Sequence, residues 1–282
     1  MDPVLTARHK RGRLFEVTGK GGVVAEADGH HVQALSPMDM LVASLTTCSA
    51  ITVLDLLAKM RQPVLSMEVA AQGERSDGKP RLWKKIHLEY RIEGVFDQER
   101  AHRAVELSET KHCPVAAMLS GSVEITHTIE RVGADIRRIA ADDTYALRQS
   151  LLRPHQSIDE MNYPGDLHPD TVHFGAYLDG TLVGIASLYQ EQPADWPLMG
   201  RGFKLRGMAT TPEARGLGLG SALLRTCHAH ARVNAASAVW CSARLNAEGF
   251  YSRHGFVRQG DPFDLPAIGP HVLMVCRLSA AG

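Results

Sequence analysis

Three glycines at alternate positions, Gly216, Gly218 and Gly220, stand behind Arg215 in the stretch TTPEARGLGLGSALLR that runs from Thr210 to Arg225. The residues from Phe203 to Thr210 read as a strand, and those from Ser221 to His228 read as a helix with an apolar face. A strand, a Gly-rich turn and a helix N-terminus together make an anion site. Backbone N–H groups converge there and the helix dipole adds positive potential. Glycine permits positive φ and lets a phosphate approach the backbone. The spacing is neither G-x-x-x-x-G-K-[ST] nor G-x-G-x-x-G, so the two common nucleotide-binding motifs do not fit. Taken alone, the glycines also fit a plain structural turn.

The next stretch narrows the choice. Ala238 to Ser242 reads as a strand, Ala247 to Arg253 as a helix, and Gly255-Phe256 leads into another strand. Together, R-G-L-G-L-G and Ala247, Phe250-Tyr251, Gly255-Phe256 resemble the two signatures of the GNAT N-acetyltransferases, R/Q-x-x-G-x-G/A and A-x-x-[FL]-Y-x-x-x-G-F, in order and spacing. The resemblance covers roughly 134–282 and implies acetyl-CoA as the cofactor and a small-molecule amine as acceptor. It implies that Arg215, Gly216, Gly218, Gly220 and Ser221 hold the pyrophosphate. Met208, Ala209 and Thr210 would hold the pantetheine and acyl carbonyl, and Tyr251 would protonate the departing sulfur. Where the family often has Asn, seven residues before this Tyr, the chain has Arg244.

A chain of 282 residues is long for one core, so two domains are expected. Lys+Arg and Asp+Glu balance at 31 each, which argues against a nucleic-acid binder or a polybasic membrane protein. The basic N-terminal residues precede no apolar segment, so they are not read as a secretory signal. Met40 to Leu54 is the longest uncharged apolar stretch; it reads as too short to span a bilayer. A cytoplasmic protein is expected. The five cysteines lack zinc spacing, so no metal is expected and the cysteines are thiols.

In the first half, Leu14 to Val17, Val23 to Glu26 and His31 to Ala34 look like short strands. Ser36-Pro37 opens a helix with Asp39 in the place of a short capping box. That helix is expected to reach about Arg61 and to be buried on most sides, because apolar residues occupy two adjacent faces. Leu65 to Gly73 and Lys84 to Glu93 read as strands. Asp97 caps a helix to about Lys111, Pro114 begins another, and Ser122 to Glu130 closes the half as a strand.

Cys48 lies in the middle of the long helix and Cys113 just before Pro114, where a helix N-terminus lowers a thiol pKa. Both also fit small core residues. S-P-M-D-M-L-V-A-S-L-T-T-C and K-H-C-P-V-A-A-M-L resemble the two cysteine segments of the OsmC/Ohr family, osmotically inducible and organic-hydroperoxide-resistance proteins. The resemblance covers roughly Arg8 to Arg131. It implies a homodimer that reduces organic hydroperoxides with a dithiol reductant, Cys48 attacking the peroxide and Cys113 resolving it. The family's Glu after the helix-opening Pro is here Met38, and its early Arg is here Lys20, a point charge without the planar fork.

In the second half, Ile136 to Ile139 reads as a strand, and Asp142 or Asp143 caps a helix through about Leu151. Val172 to Leu178 and Thr181 to Tyr189 form a hairpin around Asp179-Gly180. Glu191 to Gly202 is a loop with Pro193, Trp196 and Pro197. Glu191, Asp264 and His271 are the candidates for a general base, beside a water chain. His228 and His230 are expected in solvent; Cys227, Cys241 and Cys276 are expected in the core.

The whole reads as an α+β chain in two domains. Residues 1–132 form an OsmC-like thiol domain, an antiparallel sheet around a long buried helix. Residues 134–282 form a GNAT acetyltransferase domain with a mixed sheet. The rival reading keeps one activity, the acetyltransferase, and makes the OsmC-like domain a non-catalytic dimerisation or ligand-binding module.

Overall fold

The computed structural model describes residues 4–193 and 200–278. The chain divides into two compact units. One comprises Met1–Asp55, Glu68–Arg91 and Ala101–Glu130; the other comprises Leu56–Met67, Ile92–Arg100 and Arg131–Gly282.

The first unit opens with β1 (Leu5–Arg11), β2 (Leu14–Gly19) and β3 (Val24–Asp28), an antiparallel meander. The sequence of β1 carries no apolar alternation, and all of its residues are exposed. It is held by its ladder with β2, a cause that no local pattern reveals. The strand expected over His31 to Ala34 does not form. The Asp28 carboxylate accepts the N–H groups of His30, Val32 and Gln33 at 2.8, 3.0 and 3.0 Å. Amides committed to a side chain are lost to a ladder.

Helix α1 (Pro37–Lys59) begins in the expected capping box. Ser36 Oγ donates to Asp39 Oδ2 at 2.7 Å, and the Asp39 N–H donates back to Ser36 Oγ at 3.2 Å. Its burial differs from expectation. Leu45, Ser49, Val53 and Leu57, four residues apart, are fully buried, while Ile51 and Leu54 are exposed at 61% and 41%. A broadly apolar composition does not say which face is covered, and here a single stripe is. The helix runs 23 residues, so by length and composition alone it could cross a membrane. The uncharged stretch read as too short is therefore part of a longer helix.

Strands β4 (Val64–Arg75) and β5 (Trp83–Gly94) follow, then α2 (Gln98–Leu107), a π turn Ser108–His112, α3 (Pro114–Leu119) and β6 (Glu124–Val132); the sheet order is β4-β5-β6. Alternate residues of β5, Ile86, Leu88, Tyr90 and Ile92, are buried, the period-two pattern of a half-covered strand. Asp97 caps α2 by accepting the Arg100 N–H at 2.8 Å.

The second unit starts with β7 (Ile136–Ile139). A helical stretch over 142–152 changes pitch from a 3₁₀ turn through α4 (Tyr145–Leu147) to a π turn Arg148–Leu152. Then come β8 (Val172–Leu178), β9 (Thr181–Tyr189), β10 (Arg201–Thr210), α5 (Leu219–Val233), β11 (Ala236–Arg244), α6 (Glu248–Arg253), β12 (Val257–Leu265) and β13 (Gly269–Arg277). Asp179 and Gly180, both at positive φ, make the expected hairpin turn of β8 and β9. Trp196 and Pro197 of the expected loop lie outside the described residues.

The sheet order is β12-β13-β11-β10-β9-β8-β7. Every pair is antiparallel except β10 with β11. That parallel pair is registered from Arg201 opposite Ala236 only as far as Lys204 opposite Trp240. Both strands continue beyond, so they part halfway. Helix α5 packs Leu219, Ala222, Leu223, Cys227 and Ala231 into the core with Phe174, Leu205 and Val239 of the sheet.

Candidate functional site

The parting of β10 and β11 opens a cavity of about 640 Å³, lined among others by Met208, Ala209, Thr210, Arg215, Tyr251 and His271. β10 bulges at its edge. Arg206 pairs with Ser187 of β9 and Ala209 with Ile185, so that two residues of β10 stand against one of β9 between them. Gly207 takes the bulge at φ +61°. A Cβ there would lie 3.1 Å from Arg148 Nε, so both conformation and space call for glycine.

The Gly-rich turn is built as the sequence led one to expect. Gly216 and Gly218 have φ of +82° and +79°, and a Cβ on either would meet nothing within 4 Å. Gly218 is the N-cap of α5, so its neighbours' amides open onto unfilled space at the positive end of a helix. Gly220, read as part of the turn, lies within α5, which begins at Leu219, and a Cβ on it would lie 3.7 Å from the Phe250 ring. Ser221 is engaged by His254, the residue that caps the C-terminus of α6. The Phe250 carbonyl can only accept, so His254 Nδ1 donates to it at 2.9 Å; Nε2 then accepts the Ser221 hydroxyl at 2.9 Å. A backbone cradle with no Cβ in it, next to a slot between strands, suits a thin phosphorylated ligand such as an acyl-CoA.

Tyr251 is 9% exposed, and its hydroxyl donates to Met208 Sδ at 3.8 Å. Burial raises its pKa well above the ordinary value, and the neighbouring Cys241 and Cys227 add to the shift. The phenol is therefore a proton carrier at neutral pH. Of the three candidate bases, only His271 lines the cavity. Its Nδ1 donates to the Gly269 carbonyl at 2.8 Å, which leaves Nε2 of the neutral ring as an acceptor. Glu191 is held by Lys204 at 2.6 Å, and Asp264 is exposed and outside the lining.

Behind the cavity lies a buried network that the sequence did not point to. Arg148 and Asp166 have fully buried side chains and meet at 2.5 Å. Arg148 Nη2 donates to Asp166 Oδ1 at 3.0 Å and Ser187 Oγ at 2.8 Å, and Nη1 donates to the Met161 carbonyl at 2.8 Å. Tyr189 donates to the same carboxylate. Burial alone would raise the Asp166 pKa; the bonds from Arg148 and Tyr189 outweigh it and hold the carboxylate low. Two guanidinium groups lie over the Tyr163 ring, Arg148 at 4.3 Å and Arg206 at 4.2 Å from its centroid. An arginine in LRQSLLR looks like an exposed helix residue; only the long-range partner explains its burial.

His228 and His230 are not in solvent. They are 8% and 7% exposed, and burial, more than nearby positive charge, pulls both pKa values down to about 4. His228 lies against Phe256 and His230 against Phe174 and Phe203. A two-residue separation puts them on different sides of α5, but α5 is covered on both sides. Cys227, Cys241 and Cys276 are buried as expected.

In the first unit, Cys48 is half-buried and Cys113 is buried, both as thiols. Cys113 is the N-cap of α3, its Sγ accepting the Ala116 N–H at 3.4 Å. Yet its pKa is raised, not lowered. Burial is the main cause, and the Cys48 thiol beside it adds to the shift; together they outweigh the amides of Ala116 and Val115. Lys20 is exposed in a 3₁₀ turn and forms no ion pair among the described residues. The Asp39 carboxylate is met by Arg75 at 3.9 Å and by His31 at 2.9 Å. Near Cys113 runs a buried hydroxyl chain, Tyr90 to Ser49 at 2.5 Å and Ser49 to Ser108 at 3.0 Å.

A mixed sheet whose one parallel pair parts over a Gly-rich helix cap defines an acyltransferase of the GNAT class, and it shares the chain with a cysteine-pair α+β unit. Two family models match in agreement, OsmC-like protein over residues 28–128 and the acetyltransferase (GNAT) family over 134–256. The uncharacterized N-acetyltransferase YitI of Bacillus subtilis is 38% identical over 142 residues, 50% of this chain and 93% of that protein. Protein YhfA of Escherichia coli K12 is 40% identical over 133 residues, 44% of this chain and 99% of that one. Among solved structures, an acyl-CoA N-acyltransferase from Pseudomonas aeruginosa is 25% identical, covering 51% of this chain and 99% of its own, with a TM-score of 0.39. The chain belongs to the OsmC-like proteins through its first half and to the GNAT acetyltransferases through its second.

Proposed function

We propose that the second unit transfers an acetyl group from acetyl-CoA to the amine of a small molecule. The observation that carries this reading is the pairing of the cavity between parted strands with the open, positive-φ turn of Gly216 and Gly218. Bound acetyl-CoA supplies a thioester carbonyl. The amides around Gly216, Gly218, Gly220 and Ser221 and the side chain of Arg215 hold its phosphates. The bulged backbone of Met208, Ala209 and Thr210 orients the acyl arm. His271 Nε2 takes the proton of the incoming amine, directly or through water, and the Tyr251 hydroxyl returns one to the departing sulfur. The test is a thermal-shift titration with CoA on the full chain, followed by a thiol-release screen over amines. No shift with CoA would remove the reading.

For the first unit we propose a thiol peroxidase, on the observation that the half-exposed Cys48 adjoins the buried Cys113. The Cys48 thiolate attacks the outer peroxide oxygen, giving a sulfenic acid and an alcohol. Cys113 then displaces water to form a disulfide, which a dithiol reductant restores. A Cys113→Ser variant treated with one equivalent of an organic hydroperoxide traps the sulfenic acid on Cys48 by mass spectrometry, and the wild type gives a Cys48–Cys113 bridge. If neither thiol reacts, the unit is a binding or dimerisation module instead. The uncovered face of α1, with Ile51 and Leu54, supports a homodimer. Equal numbers of acidic and basic residues and free cysteines support a cytoplasmic protein that binds no nucleic acid.

A further inference from the structure

The acyl-transfer cavity has a one-sided charge. Among the described residues its lining contains Arg153, Lys204, Arg206, Arg215 and Arg244 but neither Asp nor Glu. Two of these cations already have work. Lys204 is paired with Glu191 at 2.6 Å, and Arg215 sits exposed beside the Gly-rich turn. Arg153, Arg206 and Arg244 remain, all half-buried and without an ion pair among the described residues. They lie close together. Burial, and then the charges of Arg244 and Arg206, pull the Arg153 guanidinium below its ordinary range, with Tyr163 acting the other way.

They are also held in place. Arg153 Nη1 donates to the Leu152 carbonyl at 3.1 Å, and Arg244 Nη2 donates to the same carbonyl at 2.7 Å. The Arg206 guanidinium lies over the Tyr163 ring, 4.2 Å from its centroid, and the buried Arg148 guanidinium lies 4.3 Å from the same centroid. Arg206 comes just before the β10 bulge, on the side of Gly207 away from the Gly-rich turn. The three cations therefore converge next to the acyl-transfer point, away from the phosphate cradle. Gathering three half-buried guanidinium groups without a counter-charge is unfavourable unless a ligand supplies one. Their planar forks match carboxylate and phosphate oxygens.

We propose that the acceptor is a small amine that also carries an anionic group, a carboxylate or a phosphate, and that Arg153, Arg206 and Arg244 bind that group while the amine faces the acyl-transfer point. This rests on the acetyltransferase reading and specifies the substrate of the same site. The anion fixes the acceptor's orientation, so that its uncharged amine, rather than its other end, points toward Tyr251 and His271. A neutral amine of the same size would leave the three cations unpaired and lose that orientation.

The test uses the full chain saturated with CoA or acetyl-CoA and three matched pairs: β-alanine with β-alaninamide, glycine with glycinamide, and O-phosphoethanolamine with ethanolamine. Binding is read by calorimetry on the CoA complex, and transfer by thiol release from acetyl-CoA. The members that carry a carboxylate or phosphate are expected to bind and react better than their partners without it by roughly ten- to a hundredfold, the scale of one or two charge-assisted hydrogen bonds. The first two pairs report a carboxylate and the third a phosphate. Arg206→Gln and Arg153→Gln are each expected to shrink that preference toward one while leaving the CoA thermal shift in place, and Arg206→Lys to keep part of it. An intact CoA shift with equal, reversed or absent responses to the members that carry the anionic group overturns the anionic acceptor alone. An unaltered preference in both Gln variants overturns the assigned residues. Absence of the CoA shift in the parent overturns the acetyltransferase reading itself.

Discussion

Nε2 of His254 accepts the hydroxyl hydrogen of Ser221 across 2.9 Å, joining α6 to the first turn of α5. The side chain of Ser221 is thereby committed to the protein, and what it offers a phosphate is its amide. Ser221→Ala should cost about 1 kcal/mol of stability yet keep most of the CoA thermal shift. In a cycle with His254→Gln, the two losses should be non-additive by roughly 0.5 kcal/mol or more. Additive losses in chemical denaturation would break the link.

Gly218 and Gly220 separate conformation from space. Gly218→Ala places a Cβ at φ +79° in a position where nothing of the protein lies within 4 Å. The expected cost is about 1–2 kcal/mol of backbone strain, with loss of the CoA shift because the added group fills the phosphate's approach. Gly220→Ala puts a methyl 3.7 Å from the Phe250 ring, ordinary contact, and should fold and bind as the parent does. Thermal-shift titrations of both variants decide it.

Tyr251→Phe keeps the ring packing against Phe250 and Phe256 and removes only the proton. A drop in kcat of about a hundredfold, with KM for acetyl-CoA nearly constant, is the expected signature of a group used in the transition state. A kcat equal to the parent's would take Tyr251 out of the mechanism.

Arg148→Leu removes one half of a fully buried pair and leaves Asp166 charged among Tyr163, Ser187 and Tyr189. About 3–5 kcal/mol of destabilisation is expected. The double variant Arg148→Leu with Asp166→Asn should recover a good part of it. Urea denaturation of the three proteins is the measurement.

His228 and His230 set the acid side of stability. Their folded pKa values, about 4, lie below the unfolded value of about 6.5. Between those limits the unfolded chain binds protons that the folded chain does not, so stability falls as pH drops from about 6.5 to 4. Each histidine contributes a slope of at most about 1.4 kcal/mol per pH unit. His228 Nε2 is buried without a hydrogen-bond partner among the described residues, so His228→Phe should be tolerated at pH 7 and should flatten the slope. Parallel melting curves for variant and parent between pH 7 and 4.5 would refute it.

What the sequence made legible was local. The Ser36–Asp39 cap, the Asp179-Gly180 turn, the Asp97 cap and the Gly-rich turn all depend on residues within a few positions, and each formed as read. What escaped it was set by partners far along the chain. Nothing near Arg148 announces Asp166, and nothing near Arg206 announces that Tyr163 will lie beneath it. The Cys113 thiol shows the same limit in energetic form. Its cap position was readable, but the burial that reverses the effect of that cap was not. The burial of α1 was misjudged differently: a broad apolar surface gives a helix, yet does not say which of its faces is covered.

The separation of β10 from β11 after Lys204 gives one strand two kinds of amide. Those up to Lys204 sit inside a double ladder, where exchange with solvent deuterium waits on large openings. Those from Arg206 to Thr210 keep a neighbour only on the β9 side, with a bulge interrupting even that. Half of the strand is thus an interior strand and half is a sheet edge inside the molecule. A ligand lying in the gap takes the place of the missing neighbour, so occupancy registers as slowed exchange on a few consecutive amides, with the rest of the strand as its internal reference.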